Sequence, residues 1–154
     1  MIDIEKIDHV GIRVRDKARS IAFYAGLGFE LLADIGFEKG HPIIMRHPSG
    51  VVINLLGPST EDEDENILMD VATKYAGYTH MSLKVTSLDD LEAFLDDRNI
   101  PVTGRFTFKD MRALFIRDPD KNVIEFDDYP GGEPEARLDP SDDFDDFDAY
   151  DQHP

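Results

Sequence analysis

Arg117-Asp118-Pro119-Asp120-Lys121-Asn122-Val123-Ile124-Glu125-Phe126 joins a tight turn to a short apolar strand that carries one carboxylate. Asp followed by Pro matches the preference of a type I turn. Glu125, set between Ile124 and Phe126, either faces solvent from a half-buried strand or points inward, where its charge needs a partner or a metal. The phrase has an earlier echo in Arg46-His47-Pro48-Ser49-Gly50-Val51-Val52-Ile53-Asn54-Leu55. Arg46 matches Arg117, Pro48 matches Pro119, Ile53 matches Ile124 and Asn54 matches Glu125, all at an offset of 71 residues. A repeat at that spacing predicts two half-domain modules.

Working outward, Ile7 to Arg15 alternates Ile7, His9, Gly11 and Arg13 with Val10, Ile12 and Val14, the pattern of a strand with one apolar face. Asp16 is a plausible N-cap for a helix through Ala18, Ile21, Ala22 and Ala25 that stops at Gly26 and Gly28. Phe29 to Phe37, Ile43 to Arg46 and Val51 to Leu56 read as three further strands. The second module repeats this order. Thr79 to Val85 is a strand with His80, Ser82 and Lys84 on one face. Ser87 caps a helix with Leu88, Leu91, Phe94 and Leu95 as its stripe, and strands follow at Pro101 to Phe108, Met111 to Arg117 and Val123 to Asp127. The reading is therefore one domain over residues 1–130, with module one at 5–57 and module two at 78–130. An acidic linker and a short helix, capped by Asn66 and running through Ile67, Leu68, Val71 and Tyr75, occupy 58–77. An acidic tail covers 131–154, with nine acids against Arg137 alone. It reads as a disordered solubilising segment, or as an amphipathic one in which Phe144, Phe147 and Tyr150 dock on a partner or back on the domain.

Composition narrows the function classes. At 154 residues the chain can bury one sizeable core. Sixteen Lys and Arg against 33 Asp and Glu give a net charge of −17, which argues against nucleic-acid and anionic-membrane partners. With no cysteine, disulfides, thiolate ligands and a Cys nucleophile are excluded, and His, Asp and Glu remain as metal ligands. The start Met1-Ile2-Asp3-Ile4-Glu5-Lys6 lacks a basic segment followed by an apolar one, and no apolar run approaches the roughly 18 residues of a membrane span. The expectation is a soluble, cytoplasmic protein.

The repeat also places four polar residues at equivalent positions: His9 and His80 on the first strands, Asn54 and Glu125 on the fourth, each pair 71 apart. Two modules related by a pseudo-twofold would bring all four together. An inward set of two His and one carboxylate suits Fe(II), Mn(II), Ni(II), Co(II) or Zn(II) and leaves open positions. Arg13 shares the face of His9 and either holds a substrate carboxylate or pairs with one of the many acids. Lys84 and Ser82 beside His80, Arg105, Lys109 and Arg112 around the second hairpin, and His47 and Tyr129 as acid or base complete the polar candidates.

Ile7-Asp8-His9-Val10-Gly11-Ile12, Ser20-Ile21-Ala22-Phe23-Tyr24 with Leu27-Gly28-Phe29, and Asp118-Pro119-Asp120-Lys121-Asn122-Val123-Ile124-Glu125 together resemble the vicinal oxygen chelate superfamily. That group includes glyoxalases, bleomycin and fosfomycin resistance proteins, methylmalonyl-CoA epimerases and extradiol dioxygenases. The resemblance implies an α+β fold of two tandem βαβββ modules forming a cupped mixed sheet, usually in a homodimer. It also implies a divalent metal held by His9, His80 and Glu125, with Asn54 and Arg13 toward a small substrate that chelates the metal through vicinal oxygens; Lys84, on the His80 face, is a further candidate for substrate binding. Glyoxalase I enzymes usually carry a Glu where Asn54 stands, and an amide cannot be a comparable base. Epimerases of the group carry a Gln there, and the dioxygenases use the bare His, His, Glu set. Three functions follow from the resemblance: a metal-dependent lyase or isomerase/epimerase with Glu125 as proton acceptor, an Fe(II) extradiol dioxygenase, and a small-molecule binding protein without turnover.

Overall fold

The computed structural model describes residues 1–61, 64–132 and 148–149. Period-two alternation and two well-capped helices produce the expected α+β order. In the first module this is β1 (Val10–Arg13), α1 (Lys17–Gly26), β2 (Glu30–Asp34), β3 (Ile43–Arg46) and β4 (Val52–Leu56). The second contains β5 (His80–Lys84), α2 (Leu88–Asp97), β6 (Gly104–Phe108), β7 (Met111–Arg117) and β8 (Val123–Asp128), and a short β9 (Asp148–Ala149) follows. Both caps form as the sequence predicts. Asp16 accepts from the Arg19 N–H at 2.7 Å and Ser87 from the Asp90 N–H at 3.1 Å, each satisfying an orphan donor of the first helical turn.

The two tandem modules repeat in register as well as in order. β1 pairs parallel with β4, setting Val10 opposite Ile53 and Gly11 opposite Asn54; β5 pairs parallel with β8, setting Met81 opposite Ile124 and Ser82 opposite Glu125. The sheets run β1-β4-β3-β2 and β5-β8-β7-β6-β9. A parallel pair needs a long crossover, which the helix and two intervening strands supply in each module.

By their internal contacts the residues form two compact units. The first is Met1–Asn66 with Asp118–Lys121, and the second is Ile67–Arg117 with the chain from Asn122 onward. In the first unit Val14, Tyr24, Ile43, Met45, Ile53 and Leu55 are fully buried, and in the second Leu95, Leu114, Ile116 and Ile124 form the corresponding centre. The turn at Asp118–Lys121 is thus part of the first unit, although its residues lie between β7 and β8 in the chain. Buried Tyr24 donates to buried Asp118 at 2.8 Å, Arg19 donates to Asp120 at 2.8 Å, and the Asp118 carboxylate also accepts from the Asp120 N–H. Burial, then the Asp118 charge, pushes the Tyr24 phenol well above its ordinary pKa, so it remains a donor.

Other boundaries differ from the sequence reading for local reasons. The strand expected to carry His9 begins only at Val10. The strand expected to reach Phe37 ends at Asp34, whose carboxylate accepts from the N–H groups of Gly36 and Phe37 and from Lys17, opening a 3-10 turn at Phe37–Lys39. Those bonds, the Phe37 N–H first, hold the Asp34 carboxyl down at about 2. The turn seats the Phe37 ring against Gly57, where a Cβ would come within 1.9 Å of it, so the residue that reads as a strand breaker is also required by packing. No helix follows Asn66. Residues 67–73 make turns and bends; the Asn66 Nδ2 donates to the Lys121 carbonyl at 3.0 Å, and Lys74 reaches back to the Met69 and Val71 carbonyls. The expected disorder or docking of the tail, including Phe144, Phe147 and Tyr150, lies outside the described residues apart from the β9 backbone. Among the described residues no helix is long and apolar enough to cross a membrane.

Tyr24→Phe is expected to destabilise the first unit by about 1–3 kcal/mol, because the buried Asp118 carboxylate loses a donor; urea unfolding followed by circular dichroism measures it. In the second unit Arg112 and the Leu88 N–H both donate to buried Asp128. The Arg112 bond first holds the Asp128 carboxyl below its ordinary range. That contribution is fully present above the unfolded-state pKa and is lost as pH falls through the depressed folded value. Asp128→Asn is therefore expected to lower stability at pH 7 and to flatten the acid limb of the unfolding profile.

Candidate metal and acid-base site

In the second unit the parallel register of β5 and β8 gathers the polar residues. Strand alternation puts His80, Ser82 and Lys84 on the same sheet face as Val123, Glu125 and Asp127, while Ile124, Phe126 and Asp128 take the opposite face, where Asp128 meets the first turn of α2. Phe115 stands opposite Glu125 on β7. Its ring stacks on Phe106 with centroids 5.8 Å apart and meets the His80 ring edge-on at 6.2 Å. The floor of the site is therefore aromatic, and the carboxylate on it is poorly hydrated.

Glu125 Oε2 lies 2.7 Å from His80 Nε2, with side-chain exposures of 9% and 38%. Desolvation is the main reason the Glu125 carboxyl is pushed up to about 7, and the neighbouring charge of Asp127 with a hydrogen bond between the two acids adds to it. Asp127 also accepts from the Ser82 hydroxyl, yet its Oδ1 is buried without a hydrogen-bond partner. A proton held between Glu125 and Asp127 would satisfy that oxygen, and so would a cation. Asp127 was missed by the sequence reading, although its position two residues after Glu125 puts it on the same strand face.

Each histidine is held from behind by the residue before it. His80 Nδ1 lies 2.9 Å from Thr79 Oγ1, and in the first unit His9 Nδ1 lies 2.8 Å from Asp8 Oδ2. Asp8 and Thr79 are themselves 71 residues apart. The hydrogen bond from His9, then its charge, holds the Asp8 carboxyl below the usual range. An engaged Nδ1 leaves Nε2 as the ring nitrogen available to a metal, the usual arrangement behind metal-bound histidines.

The other expected residues are placed as follows. Asn54 is half-buried on β4 opposite Gly11, the position equivalent to Glu125 opposite Ser82. Arg13 ends β1, exposed, and Lys84 ends β5 with Nζ 5.7 Å from the centre of the Tyr129 ring. His47 is held in its turn by Ser49 and packs on Phe29, which gives it a structural task. Arg105 pairs with Glu92, Arg112 with Asp128 and Asp89, and Lys109 lies over the Phe108 ring. Among the described residues no three His, Asp or Glu side chains are gathered as a metal-holding group. The second unit assembles the His80–Glu125 pair with Asp127 beside it. Two convergent donor atoms, an orphaned carboxylate oxygen and a braced imidazole fit a divalent cation chemically.

The family profile of the Glyoxalase/Bleomycin resistance protein/Dioxygenase superfamily matches residues 6–126. The chain belongs to this superfamily. Solved structures of superfamily proteins share its fold at low identity. A glyoxalase family protein from Enterococcus faecalis is 23% identical with a TM-score of 0.62, covering 80% of this chain and 98% of that one. Lactoylglutathione lyase from Agrobacterium tumefaciens is 18% identical with a TM-score of 0.60, covering 80% and 93%. A glyoxalase/dioxygenase from Nostoc punctiforme is 18% identical with a TM-score of 0.62, covering 82% and 92%. No curated protein matches the sequence.

Glu125 protonates more readily folded than unfolded, so the metal-free protein loses stability as pH rises from about 4.5 through about 7. Metal-free Glu125→Gln is expected to be more stable than the parent by roughly 2 kcal/mol at pH 7.5, with the gap closing at pH 4. Thermal melts in chelator at both pH values measure this.

Proposed function

We propose that this superfamily member is a divalent-metal-dependent lyase or isomerase/epimerase of glyoxalase type, acting on a small substrate with two adjacent oxygens. The observation that carries the reading is the buried Glu125 carboxylate converging with His80 Nε2 on an aromatic floor. His80 and Glu125 are the proposed ligands, with His9 as the third. A divalent ion bound there supplies Lewis-acid polarisation of the substrate oxygens. Glu125 is the proposed proton acceptor, acting when its bond to the metal is released, since it is the carboxylate that converges with His80. Ser82 holds Asp127 beside it, and that second carboxylate favours the protonated form of Glu125 once it has accepted. Asn54, an amide, is assigned to hydrogen bonding with substrate, and Arg13 and Lys84 to its anionic groups. The lactoylglutathione lyase among the fold relatives agrees with this reaction class.

The protein is further proposed to be cytoplasmic and a homodimer. Exposed Leu31, Leu32 and Ile35, on and just after the edge strand β2, offer the apolar surface for a second copy.

Elemental analysis after reconstitution with Zn(II), Mn(II), Ni(II), Co(II) or Fe(II) is expected to give near-stoichiometric metal in the parent and loss of it in His80→Ala and Glu125→Gln. Equal retention by both variants would sink the proposed ligands. The bare His, His, Glu set also suits an extradiol dioxygenase, and anaerobic assay separates the two: lyase or epimerase turnover persists without O₂, whereas ring cleavage stops. Stoichiometric ligand binding with no turnover under either condition would point to a binding protein.

A further inference from the structure

The outer edge of the second sheet is taken by a strand from far downstream. β9, Asp148–Ala149, runs antiparallel to β6, with Asp148 opposite Thr107 and Ala149 opposite Phe106. In the order β5-β8-β7-β6-β9 it is β9 that stands between β6 and solvent. Phe106, Thr107 and Phe108 are strong strand formers with no proline among them, so a bare β6 edge would be a template for another strand.

The segment that contains β9 has little reason of its own to be a strand. Ser141-Asp142-Asp143-Phe144-Asp145-Asp146-Phe147-Asp148-Ala149-Tyr150-Asp151 is rich in aspartate, which is depleted in strands, and its charges repel one another. A basic cradle does not explain the pairing either. Arg105 and Arg112, which line the cavity between α2 and the β6–β7 hairpin, are already paired with Glu92, Asp89 and Asp128. Among the described residues, backbone pairing with β6 is the contact that Asp148 and Ala149 make.

We propose that the β6 edge is a strand-acceptor site, that its occupant is the chain's own acidic tail at Asp148–Ala149, and that this occupant keeps a second copy of the chain off the edge. Charge explains why the sheet ends there. A second copy approaching β9 meets a tail with nine acids and one arginine on a chain of net charge −17, and like charges across a strand pair are destabilising. A two-residue strand is held by few hydrogen bonds, so the cover is exchangeable rather than permanent. The inference is independent of the proposed metal chemistry and of the proposed β2 contact between copies.

The test is hydrogen exchange on the full-length chain, comparing the parent with an Asp148→Pro/Ala149→Pro double variant, since proline cannot serve a strand ladder. Faster exchange at residues 104–108 in the variant is expected, with 111–117 and 123–128 unchanged. A synthetic peptide of residues 141–154 is expected to restore protection. Sedimentation velocity is expected to show the variant forming assemblies larger than the parent does. Unchanged exchange at 104–108, at a dilution where the variant sediments no faster than the parent, overturns the occupancy. Parental protection that grows with protein concentration overturns it too, because the strand would then come from another copy. Faster exchange without larger assemblies overturns the guarding role.

Discussion

Parallel pairing between the first and last strands of each module is the constraint on which the rest depends. A parallel pair cannot be closed by a tight turn, so each module must spend a helix and two strands on the return. The helix needs its cap, and Asp16 and Ser87 provide it. The last strand must then arrive in one register, because a slip of one residue would exchange its two faces. In the second unit that register sets Glu125 opposite Ser82 on the face of His80; in the first, the same register sets Asn54 opposite Gly11. One strand register thus serves both modules, and the side chains set on it make their polar faces different.

That difference is concentrated in the second module. Gly11, Arg13, Asn54 and Leu56 have Ser82, Lys84, Glu125 and Asp127 as their counterparts 71 residues later. Two carboxylates on one face over an aromatic floor store unfavourable electrostatic energy in the metal-free chain. Burial of charge of this kind is common where a fold gives up stability for chemistry. Burial raises the Glu125 carboxyl, with the Asp127 charge adding to it, and the same half-closed face leaves the Asp127 Oδ1 without a hydrogen-bond partner.

The turn after β7 shows how a motif can be legible while its task is not. Asp118-Pro119-Asp120 reads as a type I turn from sequence, yet the bonds that occupy its carboxylates come from Tyr24 and Arg19, about a hundred positions earlier. Asn66 is a similar case. Its short amide suits a helix cap, yet its Nδ2 donates to the Lys121 carbonyl and residues 67–73 make turns and bends.

The sequence by itself determined the repeat, the βαβββ order, both helix caps, the positions of His9, Asn54, His80 and Glu125, and the superfamily, because these rest on local periodicity and on spacing along the chain. Only the tertiary structure decided that Glu125 is buried against His80, that Asp127 joins it, that Thr79 and Asp8 brace the histidines, and that the 118–121 turn belongs to the first unit. Burial and hydrogen-bond partnership between residues distant in sequence arise only when strands pair and side chains compete for the same donors, and no local pattern records who wins that competition.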